Sequence, residues 1–141
     1  MPIDFSALAD STARSPLGRH LDWRAERIEP DRACFHMPFA EHNVTVGNMV
    51  HGGAISALAD AAATAACWAT PDADPATSRG ATVALNINFL KAALGVGLTA
   101  DARVVQRGGS LCVADVEVRS DEGELIALAR ATYKLSRRRA G

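Results

Sequence analysis

The sequence predicts an α+β fold in which a curved antiparallel β-sheet wraps around one long central helix. Three observations predict it. The first is a run of sixteen residues, almost all small or apolar, Ala54–Ala69, which is too long for a strand. The second is the alternation of apolar and polar residues in about six other segments. The third is length: 141 residues build one domain, 1–141, around one core. An antiparallel sheet with one apolar face needs a cover, and Ala54–Ala69 is the long apolar helix available for it.

The elements follow in order. "DFSALADSTARSPLGRHL" opens with a short helical pattern ended by Ser15, Pro16 and Gly18, giving an N-terminal helical segment over 1–21. "DWRAERIEPDRACFHMPF" alternates on both sides of the turn signal Glu29-Pro30-Asp31 and reads as a hairpin. "AEHNVTVGN" is a loop. After the central helix, "TPDADPATSRG" is a polar linker with two prolines. "ATVALNINFL", "LTADARVVQ", "LCVADVEVR" and "ELIALARATYKL" then read as a meander of four strands joined by short turns. In the first of these, alternation puts Val83, Leu85, Ile87 and Phe89 on one face and Thr82 on the other. The chain closes in a basic tail over 136–141, read as solvated.

Composition excludes several classes. A net charge of −1 points to no nucleic-acid and no membrane partner. Cys34, Cys67 and Cys112 are odd in number and widely spaced, which fits reduced core thiols in a cytoplasmic protein. No cationic stretch followed by an apolar one opens the chain, so no secretory leader is expected. Ala54–Ala69 is too short to span a bilayer and holds an acid. His20, His36, His42 and His51 form no metal-ligand spacing and no cysteine pair supports zinc, so no metal and no cofactor is expected.

That acid, Asp60, is the informative residue. With 100° per residue, Ser56 and Thr64 fall within roughly 40° of it, while Ile55, Leu58, Ala62 and Ala65 fall opposite. The stripe Ser56–Asp60–Thr64 carries no long charged side chain, unlike an ordinary solvated helix face. A stripe of this kind is covered by something, and a covered carboxylate is either paired or kept for chemistry. Just before the helix stands His51-Gly52-Gly53. The first N–H groups of a helix lack internal partners and favour negative charge, so Gly52 can present an oxyanion-binding N–H. Gly52 and Asp60 are eight residues apart, or ~12 Å along a helix. A base or nucleophile and an oxyanion donor must both lie about 3 Å from one reacting carbonyl. One helix cannot supply both, but two antiparallel copies in a two-fold dimer can.

"VHGGAISALADAA", with Asp60 nine residues after His51, and "TVALNINFLKAALGVGLTADARVVQRGG" resemble the hotdog-fold acyl-CoA thioesterases, most closely the phenylacetate-degradation (PaaI-like) branch. The resemblance covers roughly 35–135. It implies the hotdog fold, a small-molecule acyl-CoA substrate, and a homodimer that pairs further into a dimer of dimers. It implies that Asp60 is base or nucleophile against the thioester carbonyl. It also implies that the Gly52 N–H polarises that carbonyl, that His51 orients it, and that Thr82 stands near the attacking water. The family's Asn or Gln six residues before the histidine is replaced here by Thr45; Asn43 or Asn48 is left to take its role. Gly53, Ser56 and Thr64 flank the expected substrate path. Lys91, Arg107 and Arg130 are candidates for the phosphates of coenzyme A. The rival readings are a non-catalytic acyl-CoA-binding protein and a hotdog dehydratase with a histidine base.

Overall fold

The computed structural model describes residues 5–136. Residues 137–141, most of the expected basic tail, and residues 1–4 of the N-terminal segment lie outside the described residues. The N-terminal segment forms two short helices, α1 (Phe5–Ala13) and α2 (Pro16–His20). Ser15 caps α2, its hydroxyl accepting from the Gly18 N–H at 3.2 Å, with Pro16 in the first turn where no N–H is needed. Gly18 lets this corner close: a Cβ there would lie 2.2 Å from the Ala13 carbonyl oxygen and 2.9 Å from the Trp23 ring. Gly18→Ala is expected to destabilise the fold by about 3 kcal/mol, since a backbone atom must move. A urea melt reads this directly.

β1 (Arg24–Glu29) and β2 (Arg32–Met37) form the expected hairpin. A loop with one 3-10 turn leads to the central helix α3 (Gly52–Trp68). Four strands follow: β3 (Gly80–Phe89), β4 (Leu98–Arg107), β5 (Leu111–Ser120) and β6 (Leu125–Leu135). The sheet order is β1-β2-β4-β5-β6-β3, antiparallel in every described pairing. The expected four-strand meander is therefore corrected. Only β4–β5–β6 is a meander, and β3 pairs with β6 at the far edge. Residues 90–97 carry the chain back over three strand spacings, ~14 Å. They are held on the way by Val50 N–H to the Ala93 carbonyl and Gly95 N–H to the Asn48 carbonyl, both 2.9 Å.

The sheet curls on α3 because both surfaces are built from small residues. Ala59, Ala62, Ala63, Ala65 and Ala66 of α3 are buried, and so are Ala33, Ala100, Ala102, Ala114, Ala127 and Ala131 of the sheet. Phe35, Met37, Leu58, Leu98, Ile126, Val116 and Val118 fill the volume left between them. No helix of the described residues is long and apolar enough to cross a membrane.

Charges are paired across strands. Arg32 donates from Nε and Nη2 to Asp101 at 3.1 and 2.8 Å, and the Cys34 thiol donates to the same carboxylate at 3.2 Å. Burial and that carboxylate push the Cys34 thiol up to about 11. Burial also pushes Asp101 up, but the bonds from Arg32 and Cys34 outweigh it and hold the carboxyl below its ordinary value. A carboxyl depressed in the folded state stabilises the fold at pH values above its unfolded value of about 3.9, and that contribution is lost as pH falls toward the folded value. The urea midpoint is expected to be flat near neutrality and to drop below about pH 4. Asp101→Asn should lower the midpoint near neutrality and shrink this acid-side drop.

Candidate active site

The start of α3 is built around its unsatisfied N–H groups. His51 is the cap: its Nδ1 accepts from the Gly53 N–H at 2.7 Å, and its carbonyl accepts from the Ala54 and Ile55 N–H groups at 2.9 and 3.1 Å. With the His51 N–H donating to the Asn43 carbonyl at 2.8 Å, three of the four N–H groups that have no acceptor inside the helix, those of His51, Gly53 and Ala54, are satisfied. The Gly52 N–H is the one without a partner among the described residues. Gly52 lines a cavity of about 320 Å³ with Thr45, Met49, Phe89 and Lys91. Its missing side chain makes the room, since a Cβ would sit 3.3 Å from the Phe89 ring. Because His51 Nδ1 accepts, the neutral ring carries its proton on Nε2, where it is a donor.

Two turns further on, Asp60 is half-buried. Thr82 Oγ1 donates to Asp60 Oδ1 at 2.7 Å, and Asp60 makes no ion pair among the described residues. Thr82 reaches it because the alternation expected for β3 breaks. Thr82 pairs with Tyr133 and Ala84 with Thr132, so Val83 is an extra residue bulged out of the ladder. Thr82 therefore shares the helix-facing side with Leu85, whose partner Ala131 is buried like Tyr133. The expectation that Thr82 opposes Leu85, Ile87 and Phe89 is corrected; it is Val83, 60% exposed, that leaves that face.

Sequence reasoning missed the aromatic residues around Asp60. The Trp68 indole N–H donates to the Tyr133 hydroxyl at 2.8 Å. Burial holds the Tyr133 phenol above its ordinary value, and the negative charge of Asp60 adds to this. A lone tyrosine on a core strand was the available signal, because a buried hydroxyl needs a partner. Trp23, Leu17, Ala57 and Thr64 join Asp60 around a second cavity of about 340 Å³. The buried Trp23 Nε1 has no hydrogen-bond partner among the described residues, and neither has the buried Asn43 Oδ1.

The other candidates fall into place differently. Asn43 is buried behind His51: its carbonyl accepts the His51 N–H at 2.8 Å and its Nδ2 donates to the Pro38 carbonyl at 3.2 Å. It also lines a cavity of about 280 Å³ with His51 and Gly53. Asn48 is exposed and lies against Gly95, whereas Thr45 faces the Gly52 cavity. The Ser56 hydroxyl is occupied within α3, donating to the Gly52 carbonyl at 2.8 Å. Lys91 stands at the Gly52 cavity, ion-paired with Glu124. Arg107 is at the opposite end of α3, donating to the Cys67 carbonyl at 2.9 Å and to Asp31 at 2.8 Å. That is a helix C-cap, about 22 Å along α3 from Gly52 of the same chain, and it engages the guanidinium that the sequence offered to a phosphate. Arg130 is held by Asp115 at 2.6 and 2.9 Å. Cys67 is fully buried, and its hydrogen bond to Cys112, together with burial, raises its thiol above the ordinary value. Among the described residues no three His, Cys, Asp or Glu side chains come together to hold a metal ion.

The family model described as Thioesterase superfamily matches residues 47–127, the span that holds His51, Gly52, Asp60 and Thr82. The chain belongs to this superfamily. Its six-stranded sheet around α3 is the hotdog fold, and the enzyme class expected from the sequence, thioester hydrolase, is the class the family carries. The medium/long-chain acyl-CoA thioesterase YigI of Escherichia coli (strain K12) is 30% identical over 132 residues, covering 84% of each chain. A putative esterase of Deinococcus radiodurans is 32% identical over 116 residues, covering 82% of this chain and 71% of its own. A thioesterase family protein from Silicibacter pomeroyi superposes with a TM-score of 0.85 at 27% identity, covering 96% of this chain and all of the other. A mutant of thioesterase PA1618 from Pseudomonas aeruginosa shares the fold, with a TM-score of 0.84 at 24% identity over 98% of this chain and 97% of its own.

Proposed function

We propose that the protein hydrolyses acyl-CoA thioesters as a homodimer, each site combining Asp60 of one subunit with the Gly52 N–H of the other. One observation carries this reading. The single unsatisfied donor of the α3 first turn and the unpaired carboxylate Asp60 belong to the same helix but stand ~12 Å apart along it. A thioester carbonyl cannot touch both within one chain. β3 supports the dimer: it is an edge strand of ten residues paired on one side only, with Val83 at 60%, Phe89 at 51% and Leu90 at 53% exposure on or next to it. A long strand edge with exposed apolar residues is a template for pairing with another strand.

The chemistry follows from the placement. The Gly52 N–H stabilises the charge that develops on the carbonyl oxygen as the tetrahedral intermediate forms. Asp60, oriented by Thr82, either takes the proton of an attacking water or attacks the carbonyl carbon itself; the coenzyme A thiolate then leaves, and in the second case water hydrolyses the acyl–Asp60 anhydride to free the acid. Lys91, beside the Gly52 cavity and paired with Glu124, is the cation we expect to meet a phosphate. The histidine-base dehydratase reading loses ground, because His51 Nδ1 is occupied as an acceptor by Gly53 and its Nε2 carries the proton. Release of free thiol from a panel of acyl-CoA substrates tests the reaction, and sedimentation at micromolar concentration tests the assembly. A fully active monomer would sink the two-chain site.

A further inference from the structure

The cavity beside Asp60 does not end there. Thr12 and Thr64 line it, and the same two residues line a second cavity of about 450 Å³ formed by Ala7, Leu8 and Ser11 of α1 with Trp68 and Pro75. Sharing Thr12 and Thr64, the two cavities adjoin between α1 and α3. On α3 their floor is Ala57, Ala61, Thr64 and Trp68, successive turns of one face. The distal end is stiff, because Trp68 is pinned by its bond to Tyr133.

We infer that the two cavities form one groove holding the acyl group of the substrate as an extended, unbranched chain, with Trp68 and Pro75 as its end wall. The inference rests on the thioester reading above. Asp60 marks where the carbonyl carbon reacts, and Trp68 lies eight residues further along the helix, or ~12 Å. An extended polypeptide gains at most ~3.5 Å per residue over three bonds, or ~1.2 Å per bond, so ~12 Å takes about ten bonds. A chain of about ten carbons fills the groove. An aryl-acetyl group reaches about as far as Thr64, ~6 Å along the helix, and leaves the distal apolar cavity without contacts.

Two measurements test the inference. In the wild-type enzyme kcat/KM should rise by roughly fourfold per added methylene, as each is buried, up to about ten carbons, and then fall. Ser11→Trp, at an exposed position that lines the distal cavity, should lower the ratio of decanoyl-CoA to hexanoyl-CoA turnover at least tenfold with an unchanged melting temperature. Calorimetric binding of the same two ligands to Asp60→Asn protein should show the same preference and the same loss in the Ser11→Trp background. A wild-type optimum at acetyl-CoA or an aryl-acetyl-CoA, or a preference that Ser11→Trp leaves unchanged, would overturn the groove assignment and leave thioester hydrolysis standing. If no acyl-CoA is hydrolysed, the thioester reading fails. The binding ratio then decides the groove alone, and equal affinity for both chain lengths overturns it.

Discussion

Asp60→Asn is expected to lower kcat/KM by ~10²–10⁴ while leaving the fold intact, the range usual for removing a general base. The amide keeps the size of the side chain and can still accept the Thr82 hydrogen bond at Oδ1. It loses the charge and the ability to take a proton or to attack a carbonyl carbon. Stability should hardly change, because Asp60 has no ion-pair partner among the described residues that would be left unpaired in the mutant. Steady-state kinetics with free-thiol detection and a thermal melt give both answers. Near-native turnover in the variant would remove Asp60 from the chemistry and leave hydrolysis to another group.

Gly52→Pro is expected to cost ~10²–10³ in kcat, the usual loss for one oxyanion donor. Proline removes the N–H and adds a ring, and it does so at the first position of α3, where no helical hydrogen bond depends on the N–H. The preceding residue, His51, already has φ −63 and ψ 133, the extended conformation that a following proline demands. The ring must still displace the Phe89 side chain slightly, so Gly52→Ala, which keeps the N–H and makes the same approach, is the control. Subunit mixing then separates a shared site from a private one. If each site draws Asp60 and Gly52 from different chains, a heterodimer of Asp60→Asn with Gly52→Pro has one site with both defects and one with neither. Equal mixing and full exchange restore about a quarter of wild-type activity from two nearly dead parents. If both groups act within one chain, every site stays defective and mixing restores nothing.

Much of this site was legible in the sequence because its signals are local. Helical periodicity alone isolated the stripe Ser56–Asp60–Thr64, since 100° per residue holds for any α-helix. The His-Gly-Gly could be placed at the helix start, and the ~12 Å span to Asp60 follows from helical rise alone, with no tertiary information. The β1–β2 hairpin and the β4–β5–β6 meander were also readable, because a turn and the two strands beside it are neighbours in sequence.

Tertiary structure decided what depends on contacts between distant segments. Residues 90–97 look like a hairpin connection, yet β3 pairs with β6, a choice made by how the sheet closes on α3. The bulge at Val83 has no glycine or other turn residue to announce it, and one extra residue reverses every later side chain in the strand. That reversal brings Thr82 to Asp60. Arg107 shows the same limit from the other side: a basic residue beside a Gly-Gly turn suits a phosphate equally well by sequence, and only the position of the α3 C-terminus makes it a cap. Periodicity reports the face on which a side chain emerges. Which distant segment meets that face is set by packing, and strand order, the Thr82–Asp60 bond and the groove from Asp60 to Trp68 all belong to packing.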